Sequence, residues 1–87
     1  MDIMRYKIFL TKKFDRKFSK LDERLQLRII KKLKILESEP MAGKNLKGKF
    51  KNLFSVRVGN YRIFYTIDEK RKIIFIITIK HRKSAYK

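Results

Sequence analysis

The segment Leu53–Ile67, LFSVRVGNYRIFYTI, decides how this chain folds. Phe54, Val56 and Val58 alternate with Ser55 and Arg57, and Tyr61, Ile63, Tyr65 and Ile67 alternate with Arg62, Phe64 and Thr66. A period of two marks a pair of strands, each with one face turned to a core. Gly59-Asn60 between them suits a tight turn with backbone at positive φ. Pairing Val58 with Tyr61 across that turn sets Arg57 directly opposite Arg62 on one face. Like charges opposed across a ladder destabilise a sheet. The pair therefore reads as a holder for a shared anion. The plainer reading is that each guanidinium points into water or finds its own carboxylate.

Working outward toward the C-terminus, Asp68-Glu69-Lys70-Arg71 predicts a tight polar turn. Ile73–Ile79, IIFIITI, is apolar on both faces and predicts a buried, central strand. The chain then changes to KHRKSAYK, residues 80–87. A cationic run after a buried strand is either a frayed terminus or a functional edge, and the physics of chain ends favours fraying.

Toward the N-terminus, Met41–Asn52 reads as a loop, punctuated by Gly43 and Gly48 and carrying Lys44, Lys47, Lys49 and Lys51. Four lysines beside an arginine pair suit a phosphate backbone better than a merely solvated loop. Further back, Asp22 can cap a helix that runs to about Glu39 and stops at Pro40, with Leu25, Ile29, Leu33 and Leu36 on its inner face. Thr11 can cap a shorter helix, Lys12–Lys20, whose Phe14, Phe18 and Leu21 are core residues. The two make a helical hairpin over one sheet face. Leu27, Ile30 and Ile35 fall off the inner stripe and are candidates for a partner surface. Met4–Leu10 reads as a first strand.

Composition sets the limits. Eighty-seven residues suffice for a single domain, residues 1–87. Twenty-five Lys and Arg against eight Asp and Glu give a net charge of +17. The excess is concentrated in residues 41–87, where 13 basic side chains face two acidic ones. Such a field attracts polyanions, nucleic acid first among them, or an acidic protein. The absence of cysteine excludes disulfides, Cys-ligated zinc and a thiol nucleophile. A single histidine and few carboxylates argue against a metal site. No apolar run approaches ~18 residues and no secretory leader is evident, so a soluble cytoplasmic protein without a membrane role is expected.

Three pieces carry a resemblance: LKG at Leu46–Gly48, RVGNYRIFY at Arg57–Tyr65 and HRKSAY at His81–Tyr86. Together with the element order, they resemble the RelE/ParE superfamily of toxins from type II toxin–antitoxin modules, closest to the RelE-type messenger RNA interferases. The resemblance implies an α+β fold, a two-helix hairpin packed on a four-stranded antiparallel sheet. It also implies cleavage of messenger RNA in the ribosomal A site by 2′-hydroxyl attack, with no metal or other cofactor. The implied partners are the ribosome and a cognate antitoxin with an acidic docking segment, held as a hetero-oligomer in which Leu27, Ile30 and Ile35 are candidate contacts. By position, the implied catalytic residues are Arg62, Arg82 and Tyr86, with Lys44, Lys47, Lys49, Lys51 and Arg57 on the RNA.

Guanidiniums suit the role, because their planar fork binds phosphate oxygens and stays charged. A phenol is a poor base near neutrality unless surrounding cations stabilise the phenolate. The best-studied RelE toxins carry two lysines where this chain has Ser55 and Arg57, so the division between base, acid and phosphate clamp stays open. His81 beside Arg82 can titrate near neutrality, although a lone histidine at a strand end is more often structural. The rival reading within the superfamily is a ParE-type inhibitor of DNA gyrase without catalytic residues. A basic nucleic-acid-binding module without catalysis is the third.

Overall fold

The hairpin forms as its pattern requires. In the computed structural model, which describes residues 5–46 and 52–85, β3 (Leu53–Val58) pairs antiparallel with β4 (Tyr61–Asp68). Val58 lies opposite Tyr61 and Arg57 opposite Arg62. Gly59 takes φ 60°, the left-handed value that L side chains rarely adopt, as in hairpin turns that place Gly first. The meander continues into β5 (Ile73–His81), antiparallel to β4.

The sheet has five strands in the order β1-β5-β4-β3-β2 and is mixed, which corrects the four-stranded antiparallel expectation. Two elements account for the difference. The first strand, β1 (Lys7–Leu10), pairs parallel with β5, from Lys7 opposite Ile73 to Leu10 opposite Ile76. A parallel pair needs a long crossover, and everything between β1 and β5 supplies it. The other is β2 (Lys44–Leu46), antiparallel to β3 within the segment expected to be loop. Three residues are too few to show a period, and they are strand because the free edge of β3 offers them a ladder.

Thr11 and Asp22 cap the helices α1 (Lys12–Phe18) and α2 (Glu23–Ser38). Thr11 Oγ1 accepts from Phe14 N at 3.2 Å and Asp22 Oδ1 from Leu25 N at 2.8 Å, each serving an N–H that the helix leaves unpaired. Pro40 opens a 3-10 turn, Pro40–Ala42. Phe14, Ile29, Leu33 and Leu36 close over Phe54, Val56, Val58, Ile63, Tyr65, Ile74, Ile76 and Ile79 in one buried core. The opposite face of the sheet carries no helix from the hairpin.

Tyr65 fixes where the chain re-enters the sheet. Its ring is fully buried and stacks on Phe54 at 5.5 Å. Its hydroxyl donates to Pro40 O at 2.8 Å and accepts from Gly43 N at 3.0 Å. Burial pushes the phenol pKa up from its ordinary value, opposed by the bond from Gly43. A Cβ on Gly43 would strike the Tyr65 hydroxyl and lie 2.6 Å from Ser55 O, so only glycine lets the backbone pass this close.

The C-terminal run does not fray where it leaves β5. Residues Arg82–Ala85 form a helical turn, α3, and Arg82 N donates to Asn60 O in the hairpin turn at 2.6 Å. Among the described residues, no helix is long and apolar enough to cross a membrane.

A cationic face as the candidate functional site

Cross-strand partners share a face, so the register assembles the site. Arg57 on β3 faces Arg62 on β4, and Arg62 faces Lys80 on β5. Three cations thus stand in a row across three adjacent strands, on the side away from the helices. The next row reads Lys44, Ser55, Phe64 and Thr78. Arg62 Nη1 donates to Ser55 Oγ at 3.2 Å, and Ser55 is buried, so the serine steers the guanidinium instead of supplying charge. Arg57 and Lys80 are exposed, and among the described residues neither they nor Arg82 enters an ion pair. Like charges opposed across a ladder cost stability unless an anion lies between them, so the row suits a phosphate.

Lys80 reaches this row because the β4–β5 ladder is irregular. Asp68 to Tyr65 pair with Ile73 to Ile76 in regular steps, but Phe64 pairs with Thr78. Ile77 is the extra residue of a β-bulge, which shifts every later partner by one. A regular ladder would set Ile79 opposite Arg62 and turn Lys80 under the helices. With the bulge, Ile79 enters the core at 3% exposure and Lys80 joins the arginines. Sequence reasoning missed Lys80 as a site residue for this reason.

The expected site residues divide accordingly. Arg57, Arg62 and Lys44 share the face, Lys44 from a strand instead of a loop. Arg82 is exposed at the start of α3, tied by its backbone to the hairpin turn two residues from Arg62. Lys47, Lys49, Lys51 and Tyr86 lie outside the described residues. His81 sits opposite Tyr61 on the helix side, its ring edge-on to Tyr61 at 5.1 Å and its Nδ1 accepting from Lys83 N at 3.3 Å. By register it lies on the face opposite the cation row. Among the described residues no three of His, Cys, Asp and Glu gather as a metal site would require.

A second cationic feature lies around the corner. A cleft of about 290 Å³ is lined by Lys17, Leu21, Tyr61, Ile79, Lys80 and His81. Lys17 Nζ donates to Ile79 O at 3.4 Å. Burial, then Lys13 and Lys80 nearby, push the Lys17 ammonium pKa down. On the outer face of α2, Leu27, Ile30 and Ile35 are 55%, 40% and 44% exposed.

Comparison with known proteins bears on the family and the fold. The family model described as the ParE toxin of type II toxin–antitoxin systems matches residues 8–86. Toxin RelG of Mycobacterium tuberculosis is 36% identical over 53 residues, which span 60% of this chain and 61% of RelG, short of two thirds of that toxin's length. The RelBE2 toxin–antitoxin complex of the same organism contains a chain that superposes with a TM-score of 0.82, at 29% identity over 93% of this chain and 95% of that one. The archaeal RelE–RelB complex of Pyrococcus horikoshii gives 0.78 at 28% identity, over 91% and 97%.

Proposed function

The chain belongs to the ParE toxin family of type II toxin–antitoxin systems, and from that premise we propose that it is a RelE-type toxin that stops translation by cutting messenger RNA. The observation that carries the reading is the row Arg57–Arg62–Lys80, set across three adjacent strands. Its substrate is a phosphodiester flanked by a 2′-hydroxyl. The 2′-oxygen attacks phosphorus, the bond to the 5′-oxygen breaks, and the products are a 2′,3′-cyclic phosphate and a 5′-hydroxyl. Charge develops on the non-bridging oxygens, and the fixed guanidiniums stabilise it more strongly than they do the ground state. Arg62, oriented by Ser55, and Arg57 hold the phosphate; Arg82 and Tyr86 complete the site. In this reading Tyr86 exchanges the protons that the 2′-hydroxyl loses and the 5′-oxygen gains. Holding the RNA in an in-line geometry, which the ribosomal A site would impose, supplies much of the remaining acceleration.

The partner in this reading is an antitoxin with an acidic docking segment, bound in a hetero-oligomer. Two of the structural relatives are themselves toxin–antitoxin complexes, which supports it.

Primer extension on a defined messenger RNA, with wild-type protein, Arg62→Ala and Tyr86→Phe, with and without assembled ribosomes, tests the proposal. New 5′ ends that require ribosomes and vanish in both variants are expected. Ends on naked RNA would remove the ribosome requirement. No cleavage by the folded protein, with inhibition of gyrase supercoiling, would replace the reading with the ParE one; neither effect would leave a nucleic-acid-binding module.

A further inference from the structure

The bulge at Ile77 is what turns Lys80 to the cation row, and the Thr11 side chain reaches it. The strand β1 ends at Leu10, opposite Ile76, so beyond that point β5 has no strand on that side. Thr11 stands where the missing ladder would begin. Its hydroxyl lies 2.9 Å from Ile76 O and 2.9 Å from Ile77 O, 65 and 66 residues away in sequence. Its backbone N–H donates to Ile76 O at 3.3 Å. Carbonyls of successive residues in a regular strand point to opposite sides, so two converging on one hydroxyl are the mark of the bulge. Without that donor, Ile77 O would lose its Thr11 partner at a partly buried edge, and a regular ladder would compete.

We propose that Thr11 is a positioning residue of the cationic face: by donating to the Ile76 and Ile77 carbonyls it holds the β5 bulge that sets Lys80 opposite Arg62. The functional consequence rests on the reading of that face as an RNA site; the structural one does not. Thr11 also caps α1 as an acceptor, and the two roles separate chemically. Serine keeps both. Aspartate caps a helix well but has no proton to give the carbonyls.

The test compares wild-type protein, Thr11→Ser and Thr11→Asp by solution NMR, alongside the cleavage assay. Thr11→Ser should keep the cross-strand proximity of Arg62 and Lys80 and the wild-type rate. Thr11→Asp should abolish that proximity, exchange its amide protons faster over residues 76–80, and cut RNA about 10- to 100-fold more slowly, the scale of a small misplacement of a reacting group. Wild-type register and rate in Thr11→Asp would overturn the proposal and leave Thr11 a helix cap. If Thr11→Asp does not fold, the wild-type hydroxyl proton decides: slow exchange with solvent supports the clamp, and free exchange overturns it. If wild-type protein cuts no RNA, the RNA reading fails while the Arg62–Lys80 proximity still decides the clamp.

Discussion

At the scale of a residue, Tyr65 joins packing to chain direction. Its ring fills the core and its hydroxyl bridges Pro40 O and Gly43 N, aligning Lys44–Leu46 for pairing with β3. Tyr65→Phe keeps the ring but strands a backbone donor and an acceptor. A loss of about 1–3 kcal/mol is expected, the cost of leaving such groups unpaired, read from urea unfolding. The pH dependence has a definite sign. Burial raises the folded phenol above the ordinary value of about 10, so the stability it contributes is intact below that pH and lost as pH climbs through the raised value. Tyr65→Phe should remove that part of the alkaline loss, and an unchanged alkaline limb would show that the phenol does not titrate with unfolding.

At the scale of an element, α2 does two jobs with opposite faces. Ile29, Leu33 and Leu36 are buried in the core, while Leu27, Ile30 and Ile35 stay in water beside Lys31 and Lys34. Apolar side chains ringed by cations suit an amphipathic acidic segment, the chemistry expected of the antitoxin. Because Leu27 is 55% exposed, Leu27→Glu should leave the fold intact. It should weaken antitoxin binding by tenfold or more, about 1.4 kcal/mol or above, since it places a carboxylate in an apolar contact facing acidic residues. Calorimetric titration with the antitoxin measures this, and unchanged affinity would remove the outer face of α2 from the interface.

At the scale of the whole molecule, a net charge of +17 draws any polyanion, so affinity alone cannot locate the site. Salt dependence can. Removing one cation from the phosphate backbone should lower the slope of log K against log salt by about 0.7 for single-stranded RNA. Lys80→Gln and Arg57→Gln are each expected to show that drop, and Lys31→Gln on the outer helix face is not. Equal slopes for all three would mean that RNA is held by the general field and not by the cation row.

Features whose causes lie within a few residues were settled by the sequence alone. Alternation and Gly59-Asn60 set the hairpin register and the opposition of Arg57 and Arg62. Thr11, Asp22 and Pro40 set the helix limits, and the stripe ending at Leu36 chose the inner face of α2. The family resemblance was legible in the same local pieces. Tertiary structure settled what depends on distant partners. The three residues of β2 became strand because β3 had a free edge, β1 lies parallel because the long crossover brings it beside β5, and α3 formed against Asn60. The same holds for Lys80. IIFIITI is apolar at both parities, so nothing local says which of its residues enter the core, and a one-residue bulge reverses the answer for everything after it. That choice is made where Thr11 meets the carbonyls of Ile76 and Ile77, a contact no reading of neighbouring residues contains.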